Sequence, residues 1–192
     1  MSAAPQSYLS PSEYLAIERK AKTKSEYFNG QMFAMAGGLE PHNRIASNTL
    51  VRMGMQFLDR PCRAYGSDQR IKVQATGLYT YPDVSAVCGE LELEEPRRDT
   101  LLNPQALVEV LSKSTERYDR GDKFEHYQRI PSLRDYVMIS QKKHRVDHYL
   151  RQADDTWLLR SYTSLDDVVE LSSVQCRLAL RELYDKVELS DE

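Results

Sequence analysis

The chain has 192 residues, 41% of them hydrophobic and 29% charged, and a formal net charge of −3; it is long enough for one substantial core and short for two domains. The ordinary composition excludes a disordered or collagen-like chain, and the acidic balance provides no global positive field for nucleic acid, although a local basic rim can still bind a polyanion on an otherwise acidic surface. No apolar run approaches the roughly 20 residues that span a bilayer and no basic start precedes an apolar segment, so the expectation is a cytoplasmic protein with no membrane partner.

Ser10-Pro11-Ser12-Glu13 predicts a helix start, with Ser10 as cap, Pro11 in the first turn and Glu13 closing a capping box. Tyr14, Leu15 and Ile17 give this helix an incomplete apolar face. Glu26–Met35 predicts a hairpin around Asn29-Gly30, a pair suited to a type I′ turn. Glu26 reads either as a rim carboxylate facing a site or as a solvated strand-end residue. Ile45, Thr49, Met53 and Phe57 recur every four residues and predict a helix over Pro41–Leu58. His42, near its start, has no second histidine beside it and reads as a surface or cap residue ahead of a ligand.

Beyond Pro61, Cys62–Tyr65 and Asp68–Gln74 predict two short strands. Arg70 and Lys72 fit a phosphate-binding surface and solvated strand positions equally well, and Asp68 is a candidate acidic neighbour of a site. Gly77–Pro82 reads as a turn, Asp83–Val87 as the next strand and Glu90–Thr100 as a surface linker. The three cysteines, Cys62, Cys88 and Cys176, lack metal-ligand spacing and read as reduced thiols.

The stretch Gln105–Tyr127, QALVEVLSKSTERYDRGDKFEHY, organises the rest. Its apolar run from Ala106 to Leu111 predicts a buried strand that Glu109 interrupts. A carboxylate there is expensive unless a cation or strong donors meet it. After the Ser112–Thr115 turn the spacing becomes helical, so Asp119, Lys123 and Tyr127 share a face. Asp83 and Glu109 on separate strands suit a hard Mg²⁺ ion completed by water and phosphate oxygens. Lys123 would orient or deprotonate the attacking water, or stabilise charge on the phosphate. The competing structural readings are Asp83 as a strand-start cap, Glu109 and Lys123 as an ion pair, and Tyr127 as a packing residue.

Pro131 stops this helix; Tyr136–Ser140, Arg145–Arg151 and Thr156–Tyr162 predict further strands. The stretch Val174–Leu189 predicts a helix that covers the sheet edge or joins another subunit as a homodimer.

YPDVSAVCG together with EVLSKSTERYDRGDKFEHYQRIPSLRDYVMI resembles the diagnostic core of the Uma2 family, and EYFNGQMFAMAGG with PHNRI resembles its opening. The similarity covers nearly the whole chain, read as one Uma2-like domain over residues 1–192. The resemblance implies an α/β fold, a restriction-endonuclease-like mixed sheet flanked by helices, carrying the PD-(D/E)xK nuclease core. Asp83 and Glu109 are then metal ligands for Mg²⁺, or Mn²⁺. The lysine usually found two residues after the glutamate is replaced here by Leu111. The resemblance implies that Lys123 on the following helix takes its role, with Lys113 as the competing position. Glu26 and Asp68 match acidic positions of the family, and Tyr127 is a further supporting candidate. The implied activity is metal-dependent hydrolysis of phosphodiester bonds in nucleic acid, DNA first. The alternative is an inactive nucleic-acid-binding or protein-assembly module.

Overall fold

All six residues of Ala106–Leu111 (β8) are buried, because apolar side chains leave the strand on both faces. Ala106, Val108 and Val110 join one core and Leu107 and Leu111 the other, as the two-residue strand period requires. Each such buried aliphatic side chain contributes about 1.5–3 kcal/mol of transfer free energy. Glu109 falls in the Leu107–Leu111 row, so the charge is buried on a face otherwise apolar.

A computed structural model describes residues 8–189. In chain order it contains α1 (Pro11–Glu18), β1 (Ser25–Phe28), β2 (Gln31–Ala34), α2 (Glu40–Gln56), β3 (Cys62–Gly66), β4 (Arg70–Val73), β5 (Leu78–Thr80), β6 (Val84–Cys88) and β7 (Thr100–Leu101). After β8 come α3 (Glu116–Arg120), α4 (Asp122–Tyr127), β9 (Asp135–Ser140), β10 (Val146–Arg151), β11 (Trp157–Tyr162), β12 (Val168–Leu171), β13 (Cys176–Ala179) and α5 (Leu180–Leu183).

The strands form a six-stranded sheet ordered β11-β10-β9-β8-β6-β3, a five-stranded sheet ordered β2-β1-β5-β4-β7, and the ribbon β12-β13. The larger sheet is mixed: β8 runs parallel to β9 and antiparallel to β6. On one face Ile45 and Met53 of α2, with Phe57 at its C-cap, pack with Val169, Leu171 and Leu178 of the ribbon. On the other, Phe124 and Tyr127 of α4 meet Ile71, Val73 and Leu78 of the smaller sheet. This is the α/β arrangement of mixed sheets and flanking helices that the sequence predicts.

Several local expectations hold. Ser10 and Glu13 form the reciprocal capping box of α1. Asn29 and Gly30 take positive φ angles of 46° and 80° in the β1–β2 turn, the requirement of a type I′ hairpin. Other expectations are corrected. The Gly77–Pro82 turn contains β5, because only Gly77 (φ 77°) turns the chain and Leu78-Tyr79-Thr80 then pairs with β4 and is wholly buried. The Glu90–Thr100 linker ends in β7, parallel to β4. The helix after Thr115 breaks at Gly121 into α3 and α4. The predicted C-terminal helix begins as β13, where Cys176 and Leu178 are buried and Arg177 is exposed; that alternation wins over helical spacing and leaves only the short α5. Cys62 and Cys88 stand opposite one another across β3 and β6 and are joined by a disulfide, so only Cys176 is a free thiol. No helix among the described residues is long and apolar enough to cross a membrane.

Candidate active site

The antiparallel register of β6 and β8 pairs Val84 with Val108. One step further along both strands, it brings Asp83 to the Glu109 end of β8, on the same sheet face. The backbone N–H of Val110 donates to Asp83 Oδ2 at 2.7 Å, which ties the carboxylate to the neighbouring strand. The other oxygen, Oδ1, lies 3.0 Å from Nε2 of His42, on the first turn of α2.

Glu109 is 4% exposed, and its Oε1 accepts from the Tyr127 hydroxyl at 2.7 Å and from Lys123 Nζ at 2.9 Å. Both donors come from α4, one turn apart. Lys123 Nζ also lies 3.3 Å from Glu26 Oε1 and 3.5 Å from Asp119 Oδ1. Thr80 Oγ1 holds Glu26 from the other side. One ammonium thus serves three carboxylates, while Asp83 is served by His42 and a peptide N–H.

Burial pushes the Glu109 carboxyl up to about 8; Lys123 opposes the rise, and Asp119 and Asp83 reinforce it. Burial disfavours the Lys123 ammonium, but Glu109 and the groups around it outweigh that and hold its pKa well above the usual lysine value. Burial likewise disfavours the His42 imidazolium, and the Asp83 hydrogen bond and charge reverse the direction, so its pKa is raised. Burial raises the Asp119 carboxyl.

These groups line a cleft of about 770 Å³, together with Lys113, Tyr118 and Gln141. His42 Nδ1 and Gln141 Oε1 are buried on that cleft without a hydrogen-bond partner among the described residues, and Asp119 Oδ1 meets only the Lys123 ammonium, at 3.5 Å. Buried polar atoms are nearly always satisfied, so two unmet ones in one cleft mark where a ligand or its water would bond.

Residues 11–181 match a family described as "Uma2: Putative restriction endonuclease". The chain belongs to the Uma2 family. It is 38% identical over 185 residues to the uncharacterized protein slr1290 of Synechocystis sp., covering 94% of each chain. It is 33% identical over 164 residues to the uncharacterized protein sll1609 of the same organism, covering 85% of this chain and 93% of that one. Its fold is that of a crystal structure from Anabaena variabilis titled "a putative nuclease belonging to DUF820", with a TM-score of 0.74, 18% identity, and coverage of 92% of this chain and 98% of the other.

Within this Uma2 chain, the structure gathers Asp83, Glu109, Lys123, Glu26 and Tyr127 around one cleft. Asp68 stands apart: its side chain is 99% exposed and pairs with Lys24 at 3.0 Å. Arg70 and Lys72 do not offer a phosphate-binding surface. Arg70 is buried against Tyr81, Thr100 and Asp99, and Lys72 is occupied by Glu94. Lys113 is exposed on the turn bordering the cleft and makes no ion pair among the described residues. His42 and Gln141 are the cleft residues that sequence spacing did not assign to the site. PHNRI carried a signal for His42, but its carboxylate partner is remote in the chain.

The donor set suits a hard divalent cation. No cluster of three or more His, Cys, Asp or Glu side chains among the described residues forms a cage. Mg²⁺ is commonly held by one or two carboxylates, with waters and phosphate oxygens completing the shell. Glu109 Oε2 has no hydrogen-bond partner among the described residues, and each Asp83 oxygen, already holding one donor, retains acceptor capacity.

Proposed function

We propose that this Uma2 protein is a metal-dependent DNA endonuclease that hydrolyses phosphodiester bonds at the Asp83–Glu109–Lys123 cleft. The observation that carries the reading is the Lys123 ammonium 2.9 Å from Glu109, on the carboxylate that the β6–β8 register sets beside Asp83. It supports a lysine supplied from the helix after the strand, in place of the one missing at Leu111.

Asp83 and Glu109 would hold Mg²⁺ or Mn²⁺, which when bound supplies Lewis-acid polarisation of the phosphoryl oxygens and eases formation of hydroxide from water. The chain's own groups have separable tasks. The Val110 N–H and His42 fix both oxygens of Asp83, while Tyr127 fixes the Glu109 rotamer. The carboxyl groups around Lys123 favour its ammonium form, which suits a hydrogen-bond donor better than a general base. Its task is to donate to the phosphate as negative charge grows on the equatorial oxygens. Water would lose a proton to bulk solvent as its oxygen bonds to phosphorus, the bond to the leaving oxygen breaks, and that oxygen takes a proton from solvent. Exposed Lys113 at the rim would pair with a neighbouring phosphate of the DNA.

The test is cleavage of single-stranded, duplex and branched DNA by purified protein, with Mg²⁺ or Mn²⁺ and with EDTA. The expected result is metal-dependent cleavage of at least one form, abolished by D83N. Salt-sensitive binding without cleavage would favour the inactive binding module instead.

A further inference from the structure

A second cavity, of about 990 Å³, adjoins the cleft, and Glu26, Phe33 and Tyr118 line both. One wall is the β1–β2 hairpin. Glu26 and Phe28 share a face of β1, and Phe33 stands directly opposite Glu26 in β2. The other wall is the row of α3–α4 beside the catalytic one. Tyr118, Asp122, Glu125 and Arg129 recur there at helical spacing, offset by one residue from Asp119 and Lys123. His126 stiffens the back wall: its Nδ1 lies 2.8 Å from Thr76 Oγ1 and its ring meets the edge of Phe28 at 4.6 Å.

We propose that this cavity binds one unstacked, amino-bearing nucleobase of the DNA strand, next to the phosphodiester engaged by Asp83 and Glu109; the inference rests on the nuclease reading and names the substrate form it favours. Phe33 is 49% exposed, a large aromatic face left open beside a buried charge network. Such a face is a stacking platform for any base. The charged lining is mainly acidic, with Glu26, Asp122 and Glu125 against Arg129. Carboxylates repel a phosphate but accept hydrogen bonds from base N–H groups. Guanine offers its N1–H and N2 amine side by side to one carboxylate, a two-bond match, whereas thymine has no amine. A base can enter this cavity only after leaving a duplex stack, at an energetic cost smallest for single-stranded or unpaired positions. The substrate class is therefore single-stranded DNA or DNA with an unpaired nucleotide at the cleavage point.

The direct test titrates deoxyguanosine and thymidine into the full-length protein and follows backbone amide shifts by NMR. Deoxyguanosine should shift amides of Glu26–Phe33 and Tyr118–Arg129 saturably. Thymidine should bind at least roughly tenfold more weakly, F33A should lose at least roughly tenfold, and F33W should restore binding. Phe33 is a surface side chain, so F33A is expected to fold. In parallel, a single-stranded oligonucleotide should lose F33-dependent affinity when the nucleotide at its cleavage point is made abasic. No saturable deoxyguanosine shift, or a shift unchanged in F33A, overturns the subsite. If D83N-sensitive cleavage persists alongside that result, the nuclease reading stands without it. Deoxyguanosine binding with no cleavage of any DNA overturns the nuclease reading and leaves a nucleobase site.

Discussion

Lys123 Nζ and Glu109 Oε1 are 2.9 Å apart, although one residue is on α4 and the other in the middle of β8. The lysine touches Glu26 and Asp119 as well, so its removal strands three carboxylates in a buried place. K123A should destabilise the fold by about 3–5 kcal/mol, the usual cost of breaking a buried pair on one side. On the folded fraction, single-turnover cleavage should fall at least roughly tenfold. K113A should keep the chemical rate and instead weaken DNA binding, reducing its salt slope by about one. Denaturant titration and single-turnover rates on the same preparations separate these effects. Near-wild-type cleavage by K123A with severe loss in K113A would move the lysine role to the rim.

His42 holds one oxygen of Asp83, and groups that orient metal-binding carboxylates typically change metal affinity by about 10–100-fold when removed. H42A should therefore raise the Mg²⁺ concentration for half-maximal cleavage by at least roughly tenfold. The rate at saturating Mg²⁺ should suffer less, because the Val110 N–H still orients Asp83. An unchanged Mg²⁺ dependence in H42A would reduce His42 to a packing residue.

Glu109 makes metal-free stability pH-dependent in a definite direction. Its carboxyl is raised from 4.5 to about 8 by burial, so between those values the folded protein holds a proton that the unfolded chain has lost. The contribution is fully present below the unfolded value and disappears as pH rises through about 8. Subtracting the E109Q profile from wild type, by urea denaturation in EDTA, should isolate a decline across that window. Divalent-ion affinity should rise over the same range, since the ion displaces the proton. A wild-type-minus-E109Q difference that does not vary with pH would remove the buried proton from this account.

The Cys62–Cys88 disulfide closes a loop with a sequence separation of 26, and chain-entropy arguments give such a loop about 3.5 kcal/mol of stabilisation. Reduction or C62S should lower the denaturation midpoint accordingly. Thiol titration of the native protein before and after reduction checks the pairing. Three thiols without reduction would show that the bond is absent in solution.

Much of this fold was legible because the strongest signals are local. The β8 run, the α2 stripe of Ile45, Thr49 and Met53, and the Asn29-Gly30 turn each encode their structure within a few residues. So did Lys123 and Tyr127, one turn apart on α4; Asp119 lies before the break at Gly121 and reaches the same ammonium from α3. What escaped depends on distant pairing. β5 and β7 are three and two residues long, too short to show a period. β13 reads as helix in sequence because its register with β12 cannot be seen from either segment alone. The role of His42 exists only once α2 docks over the start of β6. Asp68 stands apart for the converse reason: a matching sequence position says nothing about which way an exposed loop carboxylate points.

The central claim, that Asp83 and Glu109 form one metal centre, is tested most directly by a crystal structure of the protein soaked with Mn²⁺, with anomalous difference maps. A peak is expected within direct coordination distance of both carboxylates, in the cleft beside Lys123, and should be lost in D83N. A peak held by other residues, or no peak in crystals of protein that cleaves DNA with Mn²⁺, would contradict it.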